Sequence, residues 1–166
     1  NKVLTKENKK IKTQYTQVVQ EKQNLAQAKD SLEATVKQAQ ELTAYNTNMI
    51  ALNRRDRSTR RIHKTRKFKI CFLLSENKVT STGTKKVYLR VTKPDGEVLR
   101  NDNSGFFNYQ GKAIAFSSEK QIEYNGNSQN VCIFYNVERK DLPRGTYTAF
   151  LFIDGRQIGD IKIKLK

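Results

Sequence analysis

The chain has no tryptophan, one methionine, one histidine, two prolines and two cysteines among 166 residues. Each scarcity excludes something. Two cysteines, Cys71 and Cys132, are too few for a disulfide scaffold and form no CxxC pair, which removes the usual zinc and thioredoxin-type spacings. Both fall in expected strands. Two buried free thiols are the expectation, and a single bridge between two sheets is the alternative. A lone His63 makes no metal site by itself. No run of about 18 apolar residues exists, so no membrane-spanning helix is expected within these residues.

Glycine, proline and phenylalanine are absent from the first part of the chain. All eight glycines lie at or after Gly83, both prolines (Pro94, Pro143) lie beyond it, and every phenylalanine lies at or after Phe68. Acidic residues are also short, 16 against 32 Lys and Arg, leaving a net charge of +16. Residues 54–69 alone hold 9 cations against one carboxylate, half of the whole excess. The pattern divides the chain into a helical part over 1–53, a basic joint over 54–69 and a β part over 70–166.

In the first part, Leu4, Ile11, Val18, Leu25, Leu32 and Ala39 recur every seven residues, the spacing that keeps one seam facing a partner helix in a left-handed supercoil. Four residues further on stand Asn8, Tyr15, Lys22, Lys29 and Val36, so half of the seam is polar. A three-residue spacing through Ala28, Leu32, Thr35, Ala39, Leu42, Asn46 and Met49 competes from Leu25 onward. With no Gly or Pro before residue 67, the helix is expected to run past Leu52. So narrow an apolar stripe buries little on an isolated helix, so the expectation is self-association or packing against a partner, a homo-oligomer and a parallel dimer first, with a solvated single helix as the alternative.

The joint, RRDRSTRRIHKTRKFK, carries Arg54, Arg55, Arg57, Arg60, Arg61, Lys64, Arg66, Lys67 and Lys69. On a helix these point in nearly every direction, with no apolar stripe to suit a membrane-surface helix. Two readings follow. One is electrostatic docking to nucleic acid or anionic lipid headgroups, with release of counterions. The other is a solvated helix end whose cations complement the macrodipole.

Beyond it, alternating and aromatic-rich runs predict strands near 67–75, 86–92, 97–100, 112–117, 120–124, 130–136, 146–154 and 157–165. Turn signals separate them: Pro94-Asp95-Gly96, Asn125-Gly126 and Asp154-Gly155. The run 146–154 is apolar on both faces and reads as a central strand. In the last strand Ile161, Ile163 and Leu165 alternate with Lys162, Lys164 and Lys166, lysines that protect an edge from pairing with another chain. The loop NDNSGFFNYQG, 101–111, offers Phe106, Phe107 and Tyr109 as a partner surface or as core inserts, with alternation sending at least one inward. The fold class expected is a long N-terminal α-helix forming a coiled coil plus an all-β C-terminal immunoglobulin-like sandwich.

The stretches FLLSENKVTSTGTKKVYLRVTKPDG (72–96) and LPRGTYTAFLFIDGRQIG (142–159) resemble an uncharacterised bacterial family of membrane-anchored coiled-coil proteins with a C-terminal immunoglobulin-like head, some described as chromosome-partitioning proteins. The resemblance implies no catalytic residues. It implies a place at the bacterial periplasm or envelope through an N-terminal anchor, compatible with a chain that starts at Asn1; the cytoplasm is the alternative.

Chemistry has little to stand on. GxxxxGK[ST], HExxH and GxSxG are all missing, and Asp102, Glu119, Glu123 and Asp141 read as ordinary loop or strand carboxylates. The expectation is therefore a non-enzymatic adaptor with no cofactor, no metal and no small-molecule substrate, whose partner is an unknown protein. The alternative is a nucleic-acid-binding protein using the joint.

Overall fold

The computed structural model describes residues 2–39, 41–138 and 142–166; Asp141 lies outside them, as do the side chains of Lys37 and Gln38. The chain divides into two compact units, 1–40 and 41–166.

The first unit is one helix, α1 (Lys2–Ala39). At about 1.5 Å per residue it is about 57 Å long, shorter than a helix running past Leu52. The correction has a physical cause. Leu42 and Met49, which continue the helical spacing on paper, are both buried in the core of the second unit. Burying them there outweighs the helix propensity of the segment. The chain after the helix is tied down locally. Thr43 N–H donates to Ser75 Oγ (2.9 Å), Ser75 N–H to Thr43 O (2.9 Å), and Asn77 Nδ2 to Glu41 O (3.1 Å).

The second unit is built of antiparallel strands: β1 (Ala44–Leu52), β2 (Ser58–Thr59), β3 (Lys67–Leu74), β4 (Gly83–Thr92), β5 (Gly105–Tyr109), β6 (Lys112–Phe116), β7 (Ser118–Tyr124), β8 (Gln129–Asn136), β9 (Gly145–Ile153) and β10 (Arg156–Leu165). One sheet has the order β2-β1-β3-β8, a second β10-β9-β4-β7, and β5-β6 form a separate hairpin. The boundaries at 53/54 and 69/70 thus both fall inside this unit, and the expected basic joint is part of it.

Alternation along the strands makes the core. Phe68, Ile70, Phe72 and Leu74 of β3 and Val131, Ile133 and Tyr135 of β8 face Val87, Leu89 and Val91 of β4 and Tyr147, Ala149, Leu151 and Ile153 of β9, all buried in one cluster shared by the two four-stranded sheets. β9 is central, as its two apolar faces require, and β10 is an edge strand with Lys162 and Lys164 exposed. Asp154-Gly155 closes the β9–β10 hairpin with both residues at positive φ (50° and 71°), and Asp154 Oδ2 accepts from the buried Lys85 Nζ at 2.6 Å. Asn125-Gly126, expected as a hairpin, instead carries the chain from β7 in one sheet to β8 in the other. The expected strand 97–100 reduces to a single bridge between Thr92 and Val98. Gly145 (φ 141°) passes so near Pro94 that an added Cβ would sit 2.7 Å from its Cγ.

The two cysteines are bridged. Cys71 and Cys132 are directly opposite partners in β3 and β8, with Cα atoms 4.1 Å apart. The expectation of free thiols, and of a bridge between sheets as its alternative, is corrected together: this bridge lies within one sheet. Both side chains point away from the core, because Ile70 and Phe72 on either side of Cys71 point into it. Alternation explains the placement; pairing register decides the bond.

The stretch read as the loop 101–111 contains β5. Its alternation turns Phe107 inward, onto a second small cluster with Phe116 and Phe152 on the outer face of the β4–β9 sheet. Phe107 stacks on Tyr88 at 4.5 Å between ring centroids, and Tyr109 meets Phe152 edge-on at 5.1 Å. Phe107 is therefore core, Tyr109 is packed against it, and only Phe106 remains a surface residue.

Candidate functional site

Residues 53–67 are ordered by hydrogen bonds to their backbone groups, some of them from side chains. Asn53 opens a tight turn after β1: its side-chain Oδ1 accepts from Arg55 N–H (2.8 Å) and Arg57 N–H (3.1 Å), and its backbone exchanges bonds with Arg57 and Asp56. Asp56 takes φ 53°, a left-handed conformation that Asp tolerates better than most residues. This turn carries Arg54 and Arg55 at its tip. Beyond Arg57, Arg60 and Arg61 comes a single 3-10 turn, Ile62–Lys64, which carries His63 and Lys64 and is anchored by Ile62, whose side chain enters the core.

The turn is pinned from several sides. Ile62 N–H donates to Lys166 O (2.9 Å), Lys166 N–H donates to Arg60 O (2.7 Å), and the buried Thr65 hydroxyl donates to Arg61 O (3.1 Å). Arg66 Nη1 donates to His63 O and Thr65 O, both at 3.0 Å, so its guanidinium is held by backbone carbonyls. Expecting a solvated helix end here is corrected: the segment is a β-turn, a two-residue strand and a 3-10 turn.

Between the two turns lies an open depression of about 450 Å³ lined by Asn53, Arg54, Arg55, His63, Lys64 and Arg66. Of the cations singled out in the sequence, Arg54, Arg55, Lys64 and Arg66 meet here, while Arg57, Arg60, Arg61 and Lys67 do not line it. Lys67 is drawn elsewhere. Its Nζ lies 3.3 Å from Asp56 Oδ1 and 5.5 Å from the Phe134 ring, over which Lys69 also sits at 5.9 Å. Asn53 and His63 were missed as lining residues. An Asn and an Asp bracketing two arginines, N-R-R-D, is a turn signature that could have placed the first of them.

The seam residues of α1 are exposed. Leu4, Ile11, Val18, Leu25 and Leu32 are 61–71 % exposed, Ala39 is exposed, and no described residue of α1 is buried. Phe106 is 60 % exposed, with the Arg100 guanidinium 4.7 Å from its ring centroid.

Burial pushes the Tyr135 and Tyr147 phenols up to about 12, aided by the negative charges of Glu138 and Asp95 respectively. Both are core residues, and the Tyr147 hydroxyl donates to Pro143 O at 2.6 Å. Among the described residues, no three His, Cys, Asp or Glu side chains gather where they could hold a metal ion, and no helix is long and apolar enough to cross a membrane.

Among solved structures, the chain is similar to the Pseudomonas fluorescens alkylpurine DNA glycosylase AlkC bound to DNA containing an abasic site analog, at 12 % identity and a TM-score of 0.44 over 76 % of this chain. It is also similar to the β-glucosidase from Kluyveromyces marxianus, at 10 % identity and a TM-score of 0.41 over 73 % of this chain. The chain spans 30 % and 15 % of the lengths of those two proteins. No curated protein matches its sequence. A family model matches residues 44–166, starting at the first residue of β1, and by that match the chain belongs to the family described as domain of unknown function (DUF8428).

Proposed function

We propose that the protein is a non-enzymatic assembly protein in which α1 pairs with a second copy as a parallel coiled coil and displays an immunoglobulin-like β-sandwich head to a protein partner. One observation carries this reading: a heptad seam of six apolar residues on a 38-residue helix, exposed along its whole length. A seven-residue repeat matches a helix with the same repeat, and a second copy supplies one. With the leucine series at the d positions, a parallel in-register pair sets Glu7 of one helix against Lys12 of the other, an attractive contact across the seam. Lys22 and Lys29 in that seam limit its stability while disfavouring larger bundles. Two four-stranded antiparallel sheets around one core support the immunoglobulin-like description of the head.

Light scattering after size exclusion tests the pairing. Twice the mass of the single chain is expected, and a monomer at all concentrations up to the millimolar range would sink it.

The cell envelope is the favoured location, supported by the disulfide, since such bonds persist in oxidising compartments and are rare in the cytosol. Alkylating free thiols in intact bacteria before lysis checks this. Cys71 and Cys132 are expected to resist labelling until a reductant is added, and labelling without reductant places the protein in a reducing compartment.

A further inference from the structure

The depression between the Asn53 turn and the 3-10 turn is unlike a solvated charge run in three respects. Its lining holds three arginines, one lysine and His63 but no carboxylate. The segment's single acid, Asp56, is engaged by Lys67, and no described carboxylate forms an ion pair with Arg54, Arg55, Lys64 or Arg66. The backbone beneath is fixed before any ligand arrives, by the Asn53 side chain, by the Thr65 hydroxyl and by the bonds between Arg60, Ile62 and Lys166. Like charges held together on a fixed frame repel one another, and an anion between them relieves that repulsion.

We propose that this depression is a binding site for a compact phosphate-bearing anion, with Arg55, Lys64 and Arg66 as its main donors. Guanidinium groups match phosphate oxygens two bonds at a time, and the lysine adds a point charge. The Arg66 fork is already oriented by the His63 and Thr65 carbonyls. About 450 Å³ is within the usual range for small-molecule sites and exceeds what a single phosphate fills, which suits two linked phosphates or a phosphate ester.

The same observations disfavour a nucleic-acid strand. No Phe, Tyr or Trp lines the depression, so the His63 imidazole is the one aromatic ring there for a base to stack on, too little for a platform that takes successive bases. The lining cations converge on one concavity, and Arg57, Arg60 and Arg61, which a backbone-tracking groove would recruit, lie outside its lining.

Calorimetric titration of the full chain with inorganic pyrophosphate, at a constant ionic strength of about 0.15 M, tests the site. Saturable binding of one pyrophosphate per chain is expected. The Arg55→Gln/Lys64→Gln variant should bind at least about tenfold more weakly, and the Arg60→Gln/Arg61→Gln variant, which loses the same charge outside the lining, should bind as the wild type does. Circular dichroism on both variants confirms the fold, and the second pair keeps the test decisive should the first unfold. Two arms separate the sources of the phosphate. Sedimentation with vesicles of phosphatidylcholine and phosphatidic acid, reversed by pyrophosphate, assigns a lipid headgroup; pyrophosphate binding without sedimentation assigns a soluble ester. The proposal is overturned by an absence of saturable pyrophosphate binding, by equal losses in both variants, or by duplex DNA that binds without competition from pyrophosphate.

Discussion

The two units of this chain use apolar residues in opposite ways. In 41–166, alternation sends Phe68, Ile70, Phe72 and Leu74 into a core that the unit completes for itself. In α1 the apolar residues recur just as regularly, and all of those described are exposed. Regular spacing signals a face in both cases. Only a second element supplies something for that face to cover, and two sheets in one chain provide it where one helix does not.

Breaking the seam tests that contrast most severely. Leu25→Asp with Leu32→Asp places charges at two seam positions of each helix, and the expected outcome is complete loss of the dimer by light scattering, with a fall in helical circular dichroism at 222 nm and an unchanged β unit. Within the self-sufficient unit, Phe72→Ala removes a fully buried ring from the shared core. A loss of about 3–5 kcal/mol in urea denaturation is expected, with the dimer unaffected while the head stays folded.

Replacing Cys71 and Cys132 by Ser opens a loop spanning 61 residues. Chain entropy sets the expected cost at about 4 kcal/mol, and the same shift should appear when the wild type is reduced. This tells how far the β unit owes its independence to a covalent bond and not to its core.

A more gradual loss is expected in alkali. Because burial raises the Tyr135 and Tyr147 phenols to about 12 from the ordinary 10, the folded chain holds these protons more tightly than the unfolded one. Their contribution is fully present below pH 10 and disappears as pH rises towards 12, so urea midpoints measured from about pH 9 to about pH 12 should fall across that window. The smallest effect is expected at Phe106, where Ser should change stability by no more than about 0.5 kcal/mol. At its neighbour Phe107, Ala should cost several times that, because only Phe107 is stacked in the second cluster.

Most strands of the β unit are legible from alternation and turn residues, because a half-buried strand writes its two faces into every second position. β3, β4, β6, β7, β8, β9 and β10 fall where that pattern puts them. β1 does not. Its sequence AYNTNMIAL has no Gly or Pro before it and fits a helical spacing, and it carries a register shift between Tyr45 and Asn48 with Asn46 at φ 51°, which breaks the alternation a reader relies on. The same error hid the site. With the helix carried to Leu52, the arginines beyond it fan out over a cylinder, whereas the turn at Asn53 and the anchor at Ile62 gather four cations around one depression.

By itself the sequence determined the two materials of the chain, the heptad seam, the edge and central character of β10 and β9, and the concentration of positive charge near residue 60, because each is written in local spacing or composition. The tertiary structure alone decided where the helix stops, which sheet each strand joins, that Cys71 meets Cys132 across a shared register, and which cations face one another. Those depend on contacts between residues far apart in the chain, and local spacing carries no record of them.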